Sequence, residues 1–82
     1  MTQTNPDVVA LFAKFAQKIE KTKTLPLITR EVRISDLGID SVGMMEIVGE
    51  VEDELSITIP DEKLSQLATV GDIERVVLEQ MR

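Results

Sequence analysis

The sequence predicts an all-α fold: a small bundle of three main helices plus one short helix, with a long ordered loop between the first two. Apolar residues recur three and four apart in three separate stretches, starting at Val8, Met44 and Val70, which is the repeat of one buried helix face. Val32-Arg33-Ile34 alternates as a short strand would, but no second strand is apparent, and a lone strand is not stable in water. Pro26, inside a patternless stretch from Thr22 to Asp36, bars a continuous helix there, because proline removes a donor and clashes with the preceding turn.

The first helix is marked by Asn5 as N-cap, Pro6 at the first helical position and Asp7 in the first turn, residue types that suit those places. Val8, Leu11, Phe12, Phe15 and Ile19 form its apolar stripe, while Lys14, Gln17, Lys18 and Lys21 point elsewhere. Lys18, Lys21 and Lys23 near its end complement the helix dipole. Phe12 and Phe15 are the only aromatic residues and are read as core. A connection as long as the one that follows is uncommon unless its own side chains pin it, and Leu25, Leu27, Ile28, Val32 and Ile34 supply the pins.

Asp36-Leu37-Gly38-Ile39-Asp40-Ser41 is an acidic loop that delivers a serine to the second helix. Asp40 is a cap able to accept from first-turn N–H groups, and an anion on Ser41 would face the positive end of the dipole, worth about 0.3–1 kcal/mol. At about 100° per residue, Met44, Ile47, Val48, Val51 and Leu55 fall on one side of this helix. Glu46, Glu50, Asp53 and Glu54 fall on the other, and Asp36 and Asp40 add charge at the same end.

No Lys or Arg lies between Val42 and Ile59, whereas a helix tuned for its own stability mixes signs. The one-sidedness favours a docking face for Arg- and Lys-rich surfaces. Val42 and Met45 flank the apolar stripe; they could supply the dry centre of a transient interface, with Glu46 and Glu50 as polar rim, and for Met45 a place that simply borders the core is equally open. Gly43 and Gly49 each cost about 1 kcal/mol relative to Ala inside a helix and open the backbone to close approach.

The chain then turns through Ser56-Ile57-Thr58-Ile59-Pro60, and Asp61 to Leu67 leaves room for one short helix. Thr69, with Asp72 three residues on, starts the last helix as a shorter relative of the capping box. Its stripe is Val70, Ile73, Val76 and Val77, with Met81 at the end.

Eighty-two residues make a single domain, 1–82, near the lower limit at which one core suffices. The chain has no Cys, His, Trp or Tyr, which removes Ser-His and Cys-His nucleophile pairs and the ordinary zinc sites. Ser41 has no base of its own, so if it reacts the base comes from another protein. An EF-hand starting at Asp36 needs Gly and Glu at its sixth and twelfth positions, which hold Ser41 and Ile47; no metal site is expected. Fifteen acids against nine bases give a net charge of −6, which argues against nucleic acid and for basic protein partners. No apolar run approaches a membrane span, and the N-terminus is not a secretory signal, so a cytoplasmic protein is expected.

The run Leu37-Gly38-Ile39-Asp40-Ser41-Val42, with Glu46 five positions after the serine and Ile59-Pro60-Asp61-Glu62 further on, resembles the acyl carrier protein family. The resemblance extends from Asn5 to about Gln80. It implies that Ser41, next to Asp40, carries a 4′-phosphopantetheine arm, transferred from coenzyme A by a phosphopantetheinyl transferase, whose thiol holds acyl groups as thioesters. The chain is then a shuttle and substrate rather than an enzyme. Its partners would be that transferase and acyltransferase, ketosynthase and other acyl-processing enzymes with basic docking patches, reading Asp36, Val42, Met45, Glu46, Glu50 and Asp53.

Val42 departs from the usual Leu after the serine. The family also draws acyl chains between its helices, for which Met44, Ile47, Val51 and Leu64 are candidate lining. A free-standing monomer serving fatty-acid or polyketide biosynthesis is expected, with Ile39, where fatty-acid carriers often have Ala, leaning toward specialised pathways. Two alternatives stay open: an aminoacyl or peptidyl carrier, and a carrier fold that is never modified and serves only as a binding subunit.

Overall fold

The structure, a computed structural model, describes residues 7–20 and 25–81. Helix α1 spans Val8–Ile19, a 3₁₀ turn spans Ile34–Leu37, and α2 (Ser41–Leu55), α3 (Asp61–Leu64) and α4 (Val70–Gln80) follow. Three main helices and one short one are present, as expected, and α1 packs against both α2 and α4. Val8, Phe12, Phe15 and Ala16 of α1 meet Ile47, Val48 and Val51 of α2 and Val70, Ile73, Val76 and Val77 of α4 in one aliphatic core, with Leu37 and Ile59 closing it. Both phenylalanines are buried, Phe12 completely.

The start of α1 differs from expectation. Asp7 is the N-cap, its carboxylate accepting from the Ala10 N–H at 3.0 Å, so Asp7 stands outside the first turn. Asn5, Pro6, Lys21 and Lys23 lie outside the described residues. Met81, placed at the end of the α4 stripe, instead forms the C-cap and is 41% exposed. Within the room from Asp61 to Leu67, helix α3 stops at Leu64, where the bonding shortens to three-residue turns, from Gln66 N–H to the Lys63 carbonyl and from Leu67 N–H to the Leu64 carbonyl.

The long connection is held by partners remote in sequence. Ile34 N–H donates to the Ala68 carbonyl, Val70 N–H to Val32 and Gly71 N–H to Arg30, at 2.8–2.9 Å. They flank one antiparallel bridge between Arg33 and Thr69. The alternation at Val32-Arg33-Ile34 therefore does find a partner, though no strand forms among the described residues. Arg30 adds a two-pronged pair to Glu74 on α4, Nε to Oε1 at 3.0 Å and Nη2 to Oε2 at 3.1 Å, the geometry in which guanidinium and carboxylate match best.

Thr69 and Asp72 form a complete capping box at α4, each side chain bonded to the other's backbone N–H. Asp72 accepts from Ala68 N–H as well. These backbone bonds, first that from Ala68 and then that from Thr69, with Arg75 nearby, hold its carboxyl below the usual carboxylate range. Glu74 is lowered likewise, chiefly by its hydrogen bond from Arg30.

Candidate functional site

The chain reaches α2 through a defined corner. Gly38 closes the 3₁₀ turn at φ 68°, ψ 20°, a left-handed conformation that glycine adopts without Cβ strain. Asp40 follows in extended backbone and caps α2, its Oδ1 accepting from the Gly43 N–H at 2.7 Å. Its carbonyl takes the first helical bond, from Met44 N–H at 2.9 Å. Ser41 is the first helical residue and is exposed, so its hydroxyl is presented at the positive end of the dipole by a cap that is already engaged.

Gly43 packs tightly beneath this corner. A Cβ there would lie 2.8 Å from Ile39 Cγ2, 3.2 Å from Asp40 Oδ1 and 3.3 Å from Glu20 Oε2. The missing side chain lets the loop close on the helix rather than admitting a partner. Gly49 is the opposite case: apart from its chain neighbours and its own helix backbone, no atom of the described residues comes within 4 Å of where its Cβ would be.

A cavity of about 450 Å³ opens beside Ser41 between the 3₁₀ corner, α2 and α3. Its wall is Ile34, Ile39, Met44, Met45, Leu64 and Leu67, with Ser41, Asp61 and Ser65 as polar contributors. Of the residues expected to line such a space, Met44 and Leu64 do. Ile47 and Val51 do not, being sealed in the core.

The expected docking residues divide. Val42 and Met45 are 68% and 67% exposed, further out than a place beside the core stripe implies, and Glu46 and Asp53 are exposed beside them. Glu50 turns toward α1 and pairs with Lys18, Oε2 to Nζ at 3.5 Å, so part of its charge is answered within the molecule. Asp36 sits exposed in the 3₁₀ turn. Glu52, which pattern reading left aside, accepts from Ile59 N–H at 2.7 Å and ties the end of α2 to the approach to α3. Ile34, Ile39 and Leu67 were also missed as cavity lining; their only sequence signal was an apolar side chain in a loop.

Among the described residues no group of three or more His, Cys, Asp or Glu is placed to hold a metal, and no helix is long and apolar enough to cross a membrane. An exposed hydroxyl at a helix N-terminus, beside an apolar cavity, is open to modification by another protein. Residues 8–77 match the family described as the phosphopantetheine attachment site.

The chain is 33% identical over 73 residues to the meromycolate extension acyl carrier protein of Mycolicibacterium smegmatis, covering 89% of this chain and 74% of that one. It is 32% identical to an acyl carrier protein of Rhodococcus erythropolis, covering 89% and 80%. The crystal structure of an acyl carrier protein from Thermotoga maritima superposes with a TM-score of 0.78 at 29% identity, covering 89% of this chain and 85% of that one. The chain belongs to the acyl carrier protein family, whose prosthetic group is 4′-phosphopantetheine. The corner fits that group: an exposed hydroxyl, a helix terminus that favours a phosphate, and an adjoining apolar cavity.

Proposed function

We propose that Ser41 is the attachment point of 4′-phosphopantetheine and that the chain shuttles acyl groups between enzymes of fatty-acid or polyketide biosynthesis. The observation that carries this reading is the exposed Ser41 at the first position of α2, held there by Asp40 and bordering the apolar cavity. Bound there, the group supplies a thiol on which an acyl chain is held as a thioester. Asp40 acts as a positioning residue, fixing the first turn so that the serine faces outward. Ile34, Ile39, Met44, Leu64 and Leu67 offer a water-poor refuge for an aliphatic tail.

The predominance of aliphatic side chains in that wall favours acyl cargo over aminoacyl or peptidyl cargo, because polar groups lose water against such a surface. The relatives named for meromycolate extension support the same choice. Val42, Met45, Glu46 and Asp53 form the surface that basic enzyme patches read, with Asp36 and Glu50 at its margins. Electrostatic steering gives fast encounter and ready release, as a shuttle requires.

Incubation with coenzyme A and a broad-specificity phosphopantetheinyl transferase is expected to add one phosphopantetheine to the intact mass, and Ser41→Ala to abolish the gain. No mass gain in the parent chain overturns the reading in favour of an unmodified binding subunit.

A further inference from the structure

The cavity beside Ser41 differs in chemistry between its inner wall and its mouth. The isoleucines and leucines of its wall are half-buried with Met44, whereas Asp61 and Ser65 are exposed. These two polar residues stand four positions apart at α3, so they share one face of that turn, and Leu64 beside them packs against the core. A tail that enters from the arm lies with its aliphatic end on the inner wall and its thioester end at the mouth.

The α3 side of the mouth accepts hydrogen bonds. Ser65 Oγ donates to the Glu62 carbonyl at 3.0 Å. A carbonyl only accepts, so the one hydroxyl proton of Ser65 is committed to it and lone pairs alone remain for a ligand. Asp61, as a carboxylate, only accepts as well. The backbone from Lys63 to Leu67 adds no donor, since each of its N–H groups is bonded to a carbonyl three or four residues back. Ser41 loses its hydroxyl proton once it is esterified, and the open N–H groups in the first turn of α2 suit the arm's own phosphate.

Resting on the carrier reading, we propose that this mouth sorts the acyl groups on the arm by hydrogen-bond sense: it holds a 3-hydroxyacyl group, whose hydroxyl donates to Asp61 and Ser65, and disfavours a 3-oxoacyl group, whose carbonyl only accepts. An oxo group brought to the mouth gives up water and meets lone pairs. The hydroxyl exchanges water for a bond to a carboxylate, a stronger kind than a bond between neutral groups. The hydroxylated cargo is withdrawn, and the oxo cargo stays out on the arm within reach of partner enzymes.

The test is to load the full chain with octanoyl, 3-hydroxyoctanoyl and 3-oxooctanoyl phosphopantetheine, using the matching coenzyme A thioesters and a broad-specificity transferase, to confirm each product by intact mass, and to compare melting temperatures. The octanoyl form is expected to melt above the unacylated form, and the 3-hydroxyoctanoyl form about 4 °C above the 3-oxooctanoyl form, the effect of one added hydrogen bond in a domain of this size. Asp61→Asn, whose amide both donates and accepts, should close that gap by raising the 3-oxooctanoyl form, and Ser65→Ala should narrow it by lowering the 3-hydroxyoctanoyl form. Because the cargoes are compared within each variant, any change in the stability of α3 itself cancels. Equal melting of the two cargoes in the parent, or a gap that survives in Asp61→Asn and Ser65→Ala alike, overturns the sorting. Loading without any rise for octanoyl also overturns it and leaves the carrier reading standing. A parent chain that gains no mass overturns both.

Discussion

The two glycines inside α2 allow the same substitution to be made in one helix with opposite expected signs. Gly→Ala raises helix propensity by about 1 kcal/mol. At Gly49 the new methyl meets nothing within 4 Å, so the full gain should appear, a rise in melting temperature of about 4–8 °C for a domain of this size. At Gly43 the methyl would stand 2.8 Å from Ile39 Cγ2, where carbon atoms prefer about 3.5–4.0 Å.

Ile39 cannot swing that methyl aside cheaply, because β-branching restricts χ1 and the side chain packs against the core. Overpacking of this kind costs about 1–3 kcal/mol. The net effect of Gly43→Ala is then a loss of about 1 kcal/mol, and the two variants should differ by about 2 kcal/mol. Chemical denaturation followed by circular dichroism measures this as a shift in midpoint at constant slope. Because Ile39 and Asp40 would be the groups displaced, Gly43→Ala should also slow phosphopantetheine loading. Equal stabilisation by the two substitutions would refute the packing argument.

Three further outcomes are expected. Asp40→Ala removes the cap on Gly43 N–H and should destabilise the fold by about 1 kcal/mol and slow loading, whereas Asp40→Asn should retain most of both, read by denaturation and by intact mass over time. Ser56, at φ 55°, holds a left-handed C-cap, so Ser56→Gly should stabilise by about 1 kcal/mol in the same denaturation assay. Asp72 and Glu74 have carboxyls lowered below their ordinary values. Their contribution to stability is therefore complete above the unfolded carboxylate range and lost as pH falls through their lower folded values. A melting series from neutral to acid pH should show that decline, shallower in Asp72→Asn.

What sequence alone made legible was local. Asp40 before Ser41, and Thr69 three residues from Asp72, announce their helices because a cap and its N–H are neighbours along the chain. The stripes of α1 and α4 were readable for the same reason. The start of α1 was not, since Asn5 and Asp7 are both good caps two residues apart and periodicity does not choose between them. Contacts set by packing were also hidden. Arg30 meets Glu74 across 44 positions, Glu52 reaches Ile59, and Glu50 turns to Lys18 only because α1 and α2 lie side by side. The cavity was half legible: Met44 and Leu64 could be guessed from their helices, but Ile34 and Leu67 join it only once the chain has crossed.

That crossing gives the cavity two kinds of wall. Met44 and Met45 move with α2, whereas Ile34 and Leu67 border a seam of backbone bonds that fastens the long connection to the corner before α4. Reshaping this space at Ile34 or Leu67 would therefore disturb the fastening of the long connection as well as the cavity, whereas reshaping it at Met44 or Met45 would leave that fastening alone.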